Sequence, residues 1–112
     1  MAGAKEKLDA VNARLAGLFK AERQTMMAFK GLTEAATRQG RFAPSVKELT
    51  AVAIAVATGC DDCIVYHTAA ARKHGASREE LVELLAVAVE MSGGPGVVYA
   101  AKALETFDEL NR

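Results

Sequence analysis

Residues 46–74 have the sequence VKELTAVAIAVATGCDDCIVYHTAAARKH, in which Gly59 separates two apolar segments. The first, 46–58, is rich in Ala, Val and Ile and is hydrophobic on nearly every side, which is typical of a buried helix. Taken alone, 52–56 would also suit a short buried strand, but its alanines and its flanks favour a helix. The second segment predicts another helix over 61–74. We therefore expect two consecutive helices at the centre of the fold.

Segment 5–39, on the N-terminal side, is also predicted to be helical. Its apolar residues recur at intervals of three, four and seven, with Lys, Glu and Arg between them. Gly17 and Gly31 each cost such a helix about 1 kcal/mol relative to Ala, so a break is possible near either one. Because this apolar stripe is long for one small domain to cover, we predict that it packs against another subunit in a homo-oligomer. The alternative is that it covers only the chain's own core.

Two further helices are expected on the C-terminal side. Ser77-Arg-Glu-Glu80 is a capping-box pattern and opens a helix over 78–91. Ser92-Gly-Gly-Pro95 interrupts the chain before a last helix over 95–110. No segment combines alternating polar and apolar residues with turn signals, so no strand is predicted. The sequence thus predicts an all-α bundle of five or six helices.

Length and composition indicate a single domain over 1–112, with an N-terminal helix of about 5–39, a core of about 45–91 and a C-terminal helix of about 95–110. The 14 basic and 14 acidic side chains balance, which argues against a nucleic-acid-binding protein. The longest apolar run, 51–57, is far shorter than the roughly 20 residues that span a bilayer. Lys and Glu near the N-terminus do not fit a signal peptide, and we expect a soluble, cytoplasmic protein.

The residues that indicate chemistry lie in Cys60-Asp-Asp-Cys63-Ile-Val-Tyr-His67. In a reducing compartment, a close Cys pair is more often catalytic or metal-binding than structural. At the helical repeat, Cys60, Cys63 and His67 share one face, so the two sulfurs can form a disulfide and an imidazole lies beside a thiol. The positive end of the helix dipole also favours a thiolate. This combination predicts a dithiol redox centre.

The spacing of Glu48, Cys60, Cys63 and His67 resembles the core motif of the alkyl hydroperoxidase D (AhpD)-like branch of the carboxymuconolactone decarboxylase superfamily. The resemblance covers about residues 40–110 and is fairly specific, because the full spacing includes the Glu and the His. Further matching features are Lys47-Glu-Leu, Asp62, Tyr66-His-Thr68, Gly75-Ala-Ser, Glu79-Glu80, Gly93-Gly-Pro95 and Tyr99.

The resemblance implies an all-helical subunit that forms trimers or hexamers and acts as a peroxidase or disulfide reductase. The sequence shows no pattern for flavin, nicotinamide or haem binding, so no cofactor is expected. The resemblance also implies that Cys63 is the attacking thiolate and that His67, linked to Glu48, takes its proton. Cys60 then resolves the product as a disulfide and meets the reductant. The substrate would be a hydroperoxide or a disulfide. In AhpD itself the reductant is a lipoyl group on a carrier protein, and a peroxiredoxin is the downstream partner.

Asp62 resembles the residue of many small AhpD-like proteins at this position, but it departs from the AhpD enzyme itself, which has a second His directly before the second Cys. A carboxylate next to the thiol should oppose thiolate formation if its charge points inward. We therefore expect this position to weaken AhpD-type peroxide turnover more than dithiol chemistry in general.

Other interpretations of the same residues remain open. Glu48 could cap a helix by turning back to Ser45. Cys60, Cys63 and His67 could bind zinc with an acidic fourth ligand, although on one helix Cys60 and His67 would lie about 10 Å apart along the axis. A non-redox decarboxylase and a structural module with inert, buried thiols are further alternatives. His74, just before a helix-ending glycine, is expected to interact with the helix C-terminus.

Overall fold

The computed structural model describes residues 3–112, which form six α-helices and no strand. The all-α prediction is therefore confirmed for this part of the chain. The helices are α1 (Ala4–Ala21), α2 (Arg23–Thr37), α3 (Pro44–Thr58), α4 (Asp61–Lys73), α5 (Arg78–Ser92) and α6 (Gly94–Leu110).

Helices α3 and α4 form the most closely packed pair and lie at the centre of the bundle, with α5 and α6 packed against them. The stretch 52–56 is helical, as its alanines predicted, and Val52 and Val56 are fully buried. Ile64 on α4 and Leu81 on α5 complete the same apolar cluster. This core fixes the relative positions of α3 and α4, and hence of any side chains that face each other across them.

The turn between α3 and α4 requires a glycine. Gly59 has φ 72°, in the left-handed region, and it ends α3 with its backbone N–H directed at the carbonyls of Ala55 and Val56. A Cβ at this position would also lie 3.2 Å from the ring of Tyr99 on α6. Both backbone conformation and space therefore favour glycine where the chain turns toward Cys60.

The predicted capping box at the start of α5 is confirmed. The Ser77 hydroxyl accepts a hydrogen bond from the Glu80 N–H at 3.1 Å, and the Glu80 carboxylate accepts one from the Ser77 N–H at 2.8 Å. The last helix begins at Gly94, one residue earlier than expected, with Pro95 in its first turn. Pro is tolerated there because the first N–H groups of a helix have no partner within the helix.

The single helix predicted over 5–39 is two helices, and the break lies at Glu22 rather than near Gly17 or Gly31. Glu22 leaves helical geometry (φ −133°, ψ 69°), and its carboxylate accepts a hydrogen bond from the Thr25 N–H that starts α2. The break prediction was wrong because both glycines lie inside surface helices. There the modest cost of a glycine is tolerated.

Helix α2 is packed only loosely against the other helices. It has no buried residue, and the apolar side chains of Phe29 and Leu32 are 56% and 62% exposed. Helix α1, in contrast, packs on α4 and α6, with Val11 buried. Its first residue is tied to the C-terminal helix, because the Ala4 N–H donates a hydrogen bond to the Glu109 carboxylate at 2.6 Å. The α1–α2 hairpin is thus held at one side and open along the other.

Candidate functional site

Cys60 and Cys63 lie at the N-terminus of α4, where they form a disulfide. Cys60 is the N-cap residue, and its sulfur accepts a hydrogen bond from the Cys63 N–H at 3.3 Å. The two Cα atoms are 5.2 Å apart, within the range that a disulfide spans. The helix-face prediction for this pair is correct in outline, except that Cys60 caps the helix instead of lying within it.

His67 and Glu48 face each other across the α3–α4 contact. His67 Nδ1 lies 2.7 Å from Glu48 Oε1, and the Glu48 side chain is almost completely buried. A buried carboxylate needs such a partner, because an unpaired charge away from water is costly. If Glu48 is ionised, it holds the proton on Nδ1 and leaves Nε2 of His67 free to accept another.

Glu48 does not act as a helix cap. Helix α3 begins at Pro44, with Ala43 as its N-cap residue, so Ser45 lies inside the first turn and not at the cap. The alternative of a Ser45–Glu48 capping box is therefore wrong. The physical reason is that Pro44, with its fixed φ and missing N–H, starts the helix two residues earlier than a Ser45 cap would.

A cleft of about 580 Å³ lies between α1, α2 and α4 and reaches Cys63 and His67. The ring of Tyr66 packs edge-on against His67, with centroids 5.1 Å apart, at the same wall. Most of the other side chains that line the cleft are apolar, and the rest are two threonines and three charged residues: Val11, Leu15, Phe19, Met26, Phe29, Leu32 and Ala36, with Thr33, Thr37, Arg14, Lys30 and Asp62. A sulfur and an imidazole therefore share one mainly apolar, partly open space.

Both aspartates of the first turn of α4 are ion-paired. Asp62 accepts a hydrogen bond from Arg14 of α1 at 2.7 Å, and Asp61 lies 3.2 Å from Nζ of Lys102 on α6. The carboxylate expected to oppose thiolate formation is thus 59% exposed and paired with a cation. Sequence reasoning missed Arg14, because its position among the polar residues of an amphipathic helix gives no sign of this contact.

The zinc alternative requires several ligand side chains close together, and the expectation for His74 requires it at a helix C-terminus. Among residues 3–112, no three or more Cys, His, Asp or Glu side chains are arranged to hold a metal ion. His74 is the C-cap residue of α4, the position expected for it. None of the six described helices combines the length and the apolar character needed to cross a bilayer.

A family model and two curated relatives each match most of this sequence. The family model described as "Carboxymuconolactone decarboxylase family" matches residues 23–106. "Uncharacterized protein H16_B0147" of Cupriavidus necator is 50% identical over 107 residues, which cover 96% of this chain and 95% of that protein. "Uncharacterized protein 4 in cox locus" of Paracoccus denitrificans is 38% identical over 84 residues, covering 75% and 76% of the two chains.

Two solved structures superpose on nearly the whole of this chain. The crystal structure of apo-lpg0406, described as a carboxymuconolactone decarboxylase family protein from Legionella pneumophila, superposes with a TM-score of 0.93 at 40% identity and covers 97% of each chain. The crystal structure of TM1620 from Thermotoga maritima superposes with a TM-score of 0.85 at 27% identity, covering 96% of this chain and 94% of that one.

Proposed function

The chain belongs to the carboxymuconolactone decarboxylase family, and from this membership and its Cys–Cys–His–Glu arrangement we propose that it is a dithiol oxidoreductase of the AhpD-like branch that reduces hydroperoxides or protein disulfides. The observation that carries the proposal is the buried Glu48–His67 pair, since His67 lines the same cleft as Cys63 of the disulfide. A base held by a buried carboxylate beside a redox-active sulfur is what thiolate chemistry needs.

The first step is attack by Cys63, which lines the cleft, on the terminal oxygen of a hydroperoxide. His67 removes the thiol proton, and the thiolate displaces an alkoxide as the O–O bond breaks and an S–O bond forms. His67 returns the proton to the alkoxide, so that an alcohol leaves. Cys63 is oxidised to a sulfenic acid, and the peroxide is reduced by two electrons.

The second step is resolution by Cys60. Its thiol attacks the Cys63 sulfur, a disulfide forms, and the hydroxyl leaves as water. The short Cα–Cα distance means that little rearrangement is needed. An external dithiol then reduces the disulfide by thiol–disulfide exchange and is itself oxidised. We propose a lipoyl carrier as this reductant, or a peroxiredoxin-like protein as a downstream thiol partner, and a cytoplasmic location, where thiol reductants are abundant.

The test uses reduced protein, freed from reductant, and one equivalent of cumene hydroperoxide. Free-thiol titration and intact mass should show the loss of both thiols and of about 2 Da as the disulfide forms. His67→Ala should react at least about tenfold more slowly, the lower end of general-base effects. His74→Ala, which changes an exposed histidine at the other end of α4, is the matched control and should react normally.

Three outcomes would contradict parts of the proposal. Survival of both thiols would rule out peroxide reduction, and the test would move to exchange with a disulfide such as oxidised lipoamide. If that exchange also fails, the redox function is wrong, and the non-redox decarboxylase alternative replaces it. If native and His67→Ala proteins react equally fast, His67 is not the base.

The order of the two sulfurs needs its own comparison. In Cys60→Ser, hydroperoxide should leave a sulfenic acid on Cys63 that a dimedone probe traps, because the resolving thiol is missing. In Cys63→Ser, no trapping is expected. Serine is a good N-cap residue, so the first substitution preserves the start of α4. The reverse pattern would make Cys60 the attacking residue.

We also propose that a second copy of this chain covers α2, in a trimer or hexamer. Helix α2 is 15 residues long and has no buried residue, and an isolated helix of that length is marginal in water. Its exposed Phe29 and Leu32 also line the cleft that leads to Cys63, so the same contact would close the site.

Sedimentation equilibrium tests this assembly. We expect about three or six times the 11.8 kDa subunit mass. Leu32→Glu should lower the oligomer mass, whereas Gln24→Glu, which adds the same charge to an exposed polar position of α2, should not. A single 11.8 kDa species at micromolar concentration would rule out the oligomer.

A further inference from the structure

The first turn of α4 carries negative charge directly beside a sulfur. Asp62 precedes Cys63 in sequence, and both residues line the cleft. Aspartate suits this position, because a negative charge at a helix N-terminus interacts favourably with the helix dipole. The same charge raises the free energy of a thiolate one residue away. The negative charge of Asp62 therefore stabilises the start of α4 but disfavours a thiolate at Cys63.

A cation from a distant part of the chain lies at this carboxylate. The Arg14 guanidinium on α1 donates a hydrogen bond to Asp62 Oδ2 at 2.7 Å, across 48 positions of sequence, and Arg14 lines the cleft as well. Helix α1 is fixed in this position by its packing on α4 and by the contact between Ala4 and Glu109. Arg14 thus lies at the cleft by virtue of the fold and not by a local sequence pattern.

We propose that Arg14 is a positioning residue for the redox centre: by pairing with Asp62 it offsets the negative charge beside Cys63 and so favours the reactive thiolate form of Cys63. The proposal rests on the proposed function in taking Cys63 as the nucleophile. Asp62 departs from the AhpD pattern, and the proposal identifies Arg14 of the same subunit as the cation that compensates for its negative charge.

Other charged groups around the Cys pair also contribute to the electrostatic environment of Cys63. Asp61 on α4 is paired with Lys102 of α6, and Glu48 of α3 is paired with His67. Lys30 of α2 is a further cation that lines the cleft. Each of these groups stays constant when only Arg14 or Asp62 is changed.

A purely structural role for the pair predicts a different result. Both side chains are more than half exposed, and ion pairs of that kind contribute little to stability. If the pair only held α1 against α4, removing either member would disturb Cys63 in the same direction. Charge compensation instead predicts opposite effects, because Arg14 favours the thiolate and Asp62 opposes it.

The experiment measures alkylation of Cys63 by iodoacetamide as a function of pH, in the reduced full-length Cys60→Ser protein. Four proteins are compared in this background: the parent, Arg14→Gln, Asp62→Asn and the double variant. Arg78→Gln is the control, because it removes one positive charge from another exposed ion pair, with Asp108, that joins α5 and α6.

We expect Arg14→Gln to shift the midpoint of the rate profile upward by about half a pH unit and to slow alkylation below the midpoint about threefold. Asp62→Asn should shift it downward and speed the reaction, and the double variant should return close to the parent. Because the pair is exposed, these differences should shrink at about 0.5 M salt. Arg78→Gln should follow the parent.

Two results would overturn the proposal: no shift in Arg14→Gln, or shifts of the same sign in both single variants. This readout needs no turnover, so its outcome is separate from that of the proposed function. If the protein reduces neither hydroperoxide nor disulfide, but the two single variants shift in opposite directions, the proposed function is wrong and the Arg14 proposal stands. If the protein reduces hydroperoxide but neither variant shifts, the proposed function stands and the Arg14 proposal is wrong.

Discussion

The α3–α4 pair and the α1–α2 hairpin are built from similar amounts of helix, but they differ sharply in how they are packed. Leu49 on α3 is 1% exposed, whereas Leu32 on α2 is 62% exposed. The first region holds Glu48 and His67 in fixed contact. The second encloses the cleft and brings Arg14 to its edge while leaving an apolar face open. Burial thus fixes the acid–base pair, and the exposed hairpin surrounds it with surface charge and apolar side chains.

The largest expected effect comes from one truncation made in both regions. Leu49→Ala should reduce the free energy of unfolding by about 2–5 kcal/mol, because it leaves a cavity in the core. Leu32→Ala should cost less than about 1 kcal/mol in dilute protein, where its side chain is already in water. Urea unfolding at two protein concentrations measures both. If Leu32→Ala destabilised the monomer as much as Leu49→Ala does, α2 would be packed as tightly as α3, contrary to its exposure.

The turn that links α3 to the Cys pair gives the next largest effect. Gly59→Ala should cost about 1–2 kcal/mol, because φ is positive there. Its Cβ would also press on Tyr99. Gly17→Ala, inside α1 with open space around it, should instead stabilise the protein by roughly 0.5–1 kcal/mol. Thermal unfolding of the two variants should show shifts of opposite sign, and a gain for Gly59→Ala would show that the turn tolerates a side chain.

A smaller effect distinguishes two buried hydroxyls. Among the described residues, the Thr68 hydroxyl is the buried side-chain group without a hydrogen-bond partner, so Thr68→Val should stabilise the protein by about 1 kcal/mol. The Thr106 hydroxyl donates to the Lys102 carbonyl at 2.8 Å, and Thr106→Val should be neutral or destabilising by about 1 kcal/mol. Chemical denaturation of both variants is the measurement, and a loss in Thr68→Val would indicate a partner for that hydroxyl.

The smallest effect concerns the exposed Arg78–Asp108 pair. The hydrogen bond from Arg78 lowers the pKa of Asp108 below its ordinary value of 3.8. A lowered carboxyl pKa adds stability that is present above the ordinary value and is lost as the pH falls through the folded-state value. Arg78→Gln should therefore lower the Tm slightly at neutral pH, and the difference should vanish in strong acid. A difference that grows on acidification would contradict this assignment.

Prediction from sequence worked best where the determinants are local. The capping box at Ser77 and Glu80 needs only four neighbouring residues, and it is present as predicted. The break in segment 5–39 was misplaced, because glycine cost alone ignores the alternative geometry at Glu22 that starts α2. Glu48 could be assigned to the site only through family resemblance. The residues themselves, without the family spacing, favoured a capping role with Ser45.

What the sequence alone determined is the all-α class, the four helices α3 to α6 and the placement of Cys63 and His67 on one helical face, because helical periodicity is a property of consecutive residues. Only the tertiary structure decided that Glu48 meets His67 across 19 positions and that Arg14 meets Asp62 across 48. Such contacts depend on how separate helices pack, and packing is set by the whole core. The acid–base partner and the charge around the sulfur are therefore properties of the fold.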